Sequence, residues 1–284
     1  MNQLAILGPG LLGGSLALAV RARAPQCRIA VWARREAAVA EARRICDLAS
    51  TDLADAVRGA DVVVLCVPIG AMAELAERIA PLVEPGALVT DVGSVKAPVV
   101  EALAPLFERA GRGRFVGSHP MAGSEQAGLS AAHADLFEGS VALLTPHPGA
   151  DPAAVEAAAA LWRLVGCKIH SLSPAEHDEA IGLVSHLPHL IAASLVNFVC
   201  AQDPRAADFC GNGLRDTTRI ASGLPEMWTE ILATNRAVLG GQLQAFIARL
   251  QEISRDLASG NDSLLKTFLT NAKVRRDRHI QRRS

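Results

Sequence analysis

Leu4-Ala5-Ile6-Leu7-Gly8-Pro9-Gly10-Leu11-Leu12-Gly13 is the stretch on which the reading of this chain turns. Four consecutive apolar residues read as a strand covered on both faces. A GxGxxG follows at once, and residues 11–23 carry a helical pattern rich in Ala, Leu and Val. In a chain with 23 glycines the pattern alone says little. Between a strand and a helix it has a mechanism. Gly8 permits the tight turn, Gly10 lets the backbone approach a pyrophosphate, and Gly13 lets the helix lie close on the strand. The anion then sits on the open N–H groups of the helix start, at Leu11 and Leu12, where the dipole favours negative charge. The competing reading is an ordinary glycine-rich turn.

Working outward, strand and helix signals alternate. Strands are expected at 3–7, 28–32, 62–67, 87–92, 114–118, 141–144 and 167–171, and helices at 11–23, 36–45, 71–80, 98–110 and 152–164. That order predicts a parallel sheet with helices on both faces. After Leu172 the pattern changes. Ser173-Pro174-Ala175-Glu176 is a capping box with Pro at the first helical position. Helices are expected at 174–200, 204–221, 225–257 and 261–273, with no further strand. The fold class expected is therefore α/β, a Rossmann-type dinucleotide-binding domain over 1–172, followed by an all-α domain over 173–284.

Bulk composition narrows the partners. Of 284 residues, half are apolar and a fifth charged, a globular balance, and net charge is −1, which gives no overall pull toward nucleic acid. Residues 271–284 carry six basic residues and one acidic one and are expected to form a solvated end. The six cysteines show neither CxxC nor zinc spacing and are expected as reduced thiols in a reducing compartment, the cytoplasm. The apolar start lacks a basic flank, so no signal peptide is expected, and without about eighteen uninterrupted apolar residues neither is a membrane span.

The end of the second strand bears on the cofactor. An NAD-binding carboxylate belongs about twenty positions past the last glycine. Ala33 stands there, followed by Arg34 and Arg35, whose guanidiniums suit a 2′-phosphate. NADP is expected, with NAD as the alternative; the competing reading is that both arginines merely begin a solvated helix.

Two loops fall at carboxyl ends of expected strands, Asp91-Val92-Gly93-Ser94-Val95-Lys96 and Gly117 to Gly128, where ligands of an open parallel sheet bind. His119 is a natural proton acceptor for oxidation of an alcohol, and Ser94 is expected to hydrogen-bond and orient its ring. A lone histidine after a strand is also commonly structural. His186 and His189 share a helix face, with Pro188 between them expected to kink the helix, and two imidazoles without further ligands make a poor metal site. Arg215 and Arg219, four apart, suit a carboxylate, or are an exposed helical pair.

Together GPGLLGGS (8–15), DVGSVK (91–96), GSHPMAGSEQAG (117–128), SHLPH (185–189) and GLRDTTRIASGLPEMW (213–228) resemble the prephenate/arogenate (cyclohexadienyl) dehydrogenase family of tyrosine biosynthesis, in the right order over nearly the whole chain. The resemblance implies a homodimer built by the helical domain and a small-molecule substrate, with no metal and no nucleic-acid or membrane partner. It implies that His119 accepts the proton of the ring 4-hydroxyl during oxidative decarboxylation and that Ser94 supports it. It implies that His189 positions the substrate and Arg219 binds its carboxylate, held by Asp216 and Trp228. Ser124 and Glu125 match the family's active-site loop, and Gln126 is expected near the substrate's side chain. Ala33 departs from the family's acidic residue, and Thr217 from the aromatic usual before the Thr-Arg pair. Two other readings stay open: a related dehydrogenase of β-hydroxyacids or imines, and a non-catalytic NAD(P)-sensing module.

Overall fold

The computed structural model describes residues 1–123 and 126–279. Two compact units divide the chain, Met1–Arg236 and Ala237–Ser284.

The first unit is built on an eight-stranded sheet in the order β3-β2-β1-β4-β5-β6-β7-β8. Its strands are β1 (Gln3–Leu7), β2 (Arg28–Trp32), β3 (Leu48–Ser50), β4 (Val62–Leu65), β5 (Leu88–Asp91), β6 (Arg114–Pro120), β7 (Val141–Thr145) and β8 (Lys168–Ser171). Helices α1 (Leu11–Arg23), α2 (Glu36–Ala42), α3 (Leu53–Val57), α4 (Ile69–Ile79), α5 (Ala97–Ala110) and α6 (Pro152–Leu164) alternate with them. Alternate strand residues feed two cores. Leu4, Ile6, Ile29, Val31 and Val64 pack with α1 and α6. Ala5, Leu7, Trp32, Val63 and Leu65 pack with α3, α4 and α5. A strand covered on both faces can be apolar throughout, as β4 is and as β1 is from Leu4 onward. Strand order reverses at β1, between β2 and β4, which opens a crevice at the carboxyl ends.

The sheet differs from the expected all-parallel one. β6 and β7 run antiparallel, His119 opposite Leu143. Between them the described residues hold one short 3-10 turn, Leu129–Ala131, and no helix; a parallel return needs a crossover, usually a helix, and an antiparallel one does not. β6 also runs on to Pro120, so His119 lies in the strand rather than after it. The three-residue edge strand β3 and the five-residue α3 were not expected; both are too short to show a period. All six cysteines are free.

Beyond β8 the first unit is helical: α7 (Pro174–Ile181), α8 (Leu187–Gln202), α9 (Asn212–Thr218) and α10 (Pro225–Thr234). The capping box at Ser173 and Glu176 closes the start of α7. A π-type turn, Gly182–His186, joins α7 to α8. Pro188 has no N–H to give, and in a regular helix its ring would press on the Val184 carbonyl; the wider turn relieves both. The expected helix 204–221 is broken into a 3-10 turn, α9, and a second 3-10 turn at Arg219–Ser222. The expected helix 225–257 is broken at Asn235. Among the described residues one helical stretch, Pro174–Gln202, is long and apolar enough to cross a membrane by length and composition, with mean hydropathy 1.6 over its most apolar window. The run-length criterion missed it because polar residues interrupt it.

The second unit holds most of α11 (Arg236–Ala258) and α12 (Asp262–His279), joined through Gly260 in the left-handed region. The guanidinium of Arg249 lies over the ring of Phe268, 5.5 Å from its centroid.

Candidate active site

Gly8 sits at φ +113°, and a Cβ there would overlap the Cys66 carbonyl at the end of β4. A Cβ on Gly13 would overlap the carbonyl oxygen of Gly8 and crowd Ile6, so only glycine lets α1 lie this close to β1. Gly10 is the N-cap of α1, and a Cβ on it would meet nothing within 4 Å. No side chain caps α1 and no acidic residue stands in its first turn, so the N–H groups at Leu11 and Leu12 keep their anion-binding capacity. A glycine cradle open on one side at a bare helix start fits a dinucleotide pyrophosphate. At the end of β2, Ala33 is buried, while Arg34 and Arg35 are exposed.

His119 stands at the carboxyl end of β6, 9 % exposed. Beneath it, β5 and β6 are pinned by buried polar bonds. The Ser118 hydroxyl donates to the Asp91 carbonyl at 2.5 Å and accepts from the Trp162 indole N–H at 3.0 Å. The Ser118 N–H donates to Asp91 Oδ1 at 3.1 Å. Lys96, fully buried, forms an ion pair with Asp91 and donates to the Ser118 carbonyl at 3.0 Å.

The partner of the His119 ring is not the one expected. Its Nδ1 lies 3.0 Å from Nε2 of His177 on α7, and His177 Nδ1 lies 2.8 Å from Oδ1 of Asp178. Ser94, expected to orient the imidazole, is half-buried in the β5–α5 loop with no hydrogen bond to His119; its backbone faces His186 instead. Burial first, then the positive forms of His177, Lys96 and His186, hold the His119 imidazole well below its ordinary value. His119 is therefore a neutral imidazole near pH 7.

From Asp178 the contacts continue through the helices. Asn235 Nδ2 donates to the Asp178 carbonyl at 3.1 Å and to His186 Nδ1 at 3.0 Å. His186 meets the Trp228 indole edge-on, and His189 stacks on that indole with ring centroids 3.5 Å apart. His186 and His189 thus share the Trp228 indole, one at its edge and one on its face, and among the described residues no group of three His, Cys, Asp or Glu could hold a metal ion. Gly223, in the turn after Arg219–Ser222, lies against the His189–Trp228 stack. Arg219 opens its 3-10 turn and is exposed, while Arg215 belongs to α9, so the two arginines do not share one regular helix face as expected. Gln126 is exposed. Ser124 and Glu125 lie outside the described residues.

Sequence reasoning missed His177, Asp178 and Asn235, and passed over Lys96 and Asp91 within a quoted motif. A charged helix start, Glu176-His177-Asp178-Glu179, reads as solvated, yet His177 and Asp178 are buried. The capping box fixes where α7 starts but not which of its faces packs inward, so no local signal marked them.

Fold and site define a dinucleotide-binding protein with a buried histidine at the sheet end, bonded to a helical segment. Residues 16–171 match the family model described as prephenate dehydrogenase, nucleotide-binding domain, and residues 173–270 match prephenate dehydrogenase, dimerization domain. The chain belongs to the prephenate dehydrogenase family. It is 34 % identical over 281 residues to the cyclohexadienyl dehydrogenase of Zymomonas mobilis, covering 96 % of this chain and 95 % of that one. The crystal structure of A. aeolicus prephenate dehydrogenase in complex with hydroxyphenyl propionate and NAD+ is similar at TM-score 0.90 and 29 % identity, covering 97 % of each chain. Synechocystis arogenate dehydrogenase is similar at TM-score 0.85 and 29 % identity, covering 98 % of this chain and all of that one.

Proposed function

We propose that the chain oxidatively decarboxylates prephenate, arogenate or both to 4-hydroxyphenylpyruvate or tyrosine, as a step of tyrosine biosynthesis in the cytoplasm. The observation that carries this reading is His119, a neutral buried imidazole whose Nδ1 is taken and whose Nε2 remains for a ligand, at the sheet end that also bears the glycine cradle. Family membership and the activities named for the similar proteins support it.

When bound, the nicotinamide dinucleotide supplies the hydride acceptor. Gly8, Gly10, Leu11, Leu12 and Gly13 hold its pyrophosphate, and Arg34 and Arg35 favour a 2′-phosphate, hence NADP over NAD. His119 Nε2 accepts the proton of the ring 4-hydroxyl as the carbonyl forms. After the C1 carboxylate has left as CO₂ and the ring has aromatised, His119 returns that proton to the ring oxygen. Arg219 recruits a substrate carboxylate, His189 on its Trp228 platform positions the ring, and Ser94, Ser124, Glu125 and Gln126 line the remaining sides. Asp216 helps to hold Arg219. A second copy covers the exposed apolar residues of 173–284, among them Leu183, Val184 and Phe198, giving a homodimer.

Initial rates with prephenate, arogenate and a β-hydroxyacid, each with NAD and NADP, test the reading through nicotinamide absorbance. Turnover of either cyclohexadiene is expected, faster with NADP. Turnover of the β-hydroxyacid alone would overturn it. His119→Asn should lower kcat about 10²–10⁴-fold while dinucleotide affinity holds.

A further inference from the structure

The buried triplet Asp178–His177–His119 has a direction. Both oxygens of Asp178 accept backbone N–H groups from the start of α5: Lys96 N–H to Oδ1 at 2.7 Å and Ala97 N–H to Oδ2 at 2.8 Å. An ionised aspartate is acceptor-only, and here each of its oxygens already takes a backbone N–H. His177 Nδ1, 2.8 Å from Oδ1, must therefore be the donor. His177 has no exposure, and burial pushes its imidazole below its ordinary value, with the nearby Lys96 charge adding to that. A neutral ring with its proton on Nδ1 carries its lone pair on Nε2. That lone pair faces His119 Nδ1 at 3.0 Å, so His119 must donate there. Nε2 of His119 is then left with a lone pair. The opposite order would set two lone pairs, or two N–H groups, against each other somewhere along the line.

We propose that His177 and Asp178 are positioning residues for the reaction, fixing His119 in the tautomer whose Nε2 can accept a proton. This rests on the function proposed above. When the substrate hydroxyl proton moves to Nε2, the N–H donated to His177 becomes charge-assisted, with the Asp178 carboxylate aligned behind it. No proton leaves Nδ1, so His119 can return the proton it took. The same logic makes an aspartate essential to the tautomer of a catalytic histidine in other enzymes.

Two measurements on the full-length protein with dinucleotide bound test the proposal. Long-range proton–nitrogen spectra of protein labelled at the histidine ring nitrogens report tautomers directly, the His119 signals being assigned by their loss in His119→Asn. Nδ1–H is expected for both His119 and His177 near pH 8. A native His119 protonated at Nε2 would overturn the proposal without reference to turnover, so its failure is separable from failure of the assigned substrate. Kinetics supply the second arm. His177→Gln keeps an acceptor near the Nε2 position and should retain most of kcat. His177→Leu should lose about 10²-fold in kcat with little change in KM, and its His119 should shift toward the Nε2–H tautomer. Equal kcat in the Gln and Leu variants would also overturn it. Should the Leu variant fail to fold, the tautomer of the native protein still decides.

Discussion

His186 makes a testable link between acid and unfolding. Its ring is fully buried, and Nε2 has no hydrogen-bond partner. Asn235 presents Nδ2 to Nδ1, and the orientation of that amide is set because the same Nδ2 donates to the Asp178 carbonyl. A second ring proton would therefore point at a donor. Burial, opposed by the Asp178 carboxylate and helped by His177, lowers the imidazole from 6.5 to about 4. The unfolded chain thus binds the proton more readily than the folded one, and stability rises with pH. The contribution is intact above 6.5 and is lost as pH falls toward 4. At pH 5 it amounts to about 2 kcal/mol lost relative to pH 7, since each tenfold difference in proton affinity between the two states is worth about 1.36 kcal/mol and protonation at pH 5 is partial. Urea unfolding at pH 7 and pH 5, followed by far-UV circular dichroism at one fixed protein concentration, measures it. His186→Gln lowers stability at both pH values but should flatten the difference between them by that amount. The same pH dependence in variant and parent, or a His186 titration near 6.5 in the folded protein, would refute the reasoning.

Three further outcomes follow from the site. The acid limb of kcat/KM should lie below pH ~6.5, because the base must be neutral and His119 is held below its ordinary value, so activity is present above that limb and disappears on acidification; a pH–rate profile locates it. Gly10→Ser should leave Tm unchanged or raised while weakening dinucleotide binding, because its hydroxyl would cap the N–H groups that the pyrophosphate needs, whereas Gly13→Ala should cost about 1–3 kcal/mol of stability through overlap with the Gly8 carbonyl; calorimetry with and without cofactor separates the two. Replacing Arg34 and Arg35 by Ser should raise KM for NADP about 10-fold or more with little effect on NAD, since a charge-assisted hydrogen bond is worth about 1.5–3 kcal/mol.

What the sequence made legible was what local pattern governs. The apolar runs of β1, β2 and β4, the glycine turn after β1 and the capping box at Ser173 each state their conformation within a few residues. The antiparallel turn of β7 was legible only as an omission, since no helical pattern lies between the strands on either side of residues 119–140. β3 and α3 are too short to carry a period. At the site, His119, His189 and Arg219 stand out by residue type, but the partner of His119 does not. Ser94 and His177 are both polar, both near a strand or helix end, and nothing local says which one reaches the ring. That choice is made by how α7 packs on α5, a tertiary fact expressed in the two N–H bonds to Asp178.

Those two bonds also bear on why the first compact unit runs to Arg236, past the change of pattern at Leu172. Asp178 caps the start of α5, which follows the loop of Lys96 and Ser94. Asn235 reaches back from the end of α10 to Asp178 and His186. Glu230 accepts from the Gly70 N–H at the start of α4. The Asp178 and Glu230 bonds are polar groups of the helical segment satisfying groups on the sheet side, while Asn235 ties the helices to one another behind Asp178, buried where an unmet partner is costly. The setting of His119 on β6 is thus a product of both halves of the unit. The sheet supplies the imidazole and the buried Lys96–Asp91 pair beneath it, and the helices supply the ring and carboxylate that decide which of its nitrogens can act.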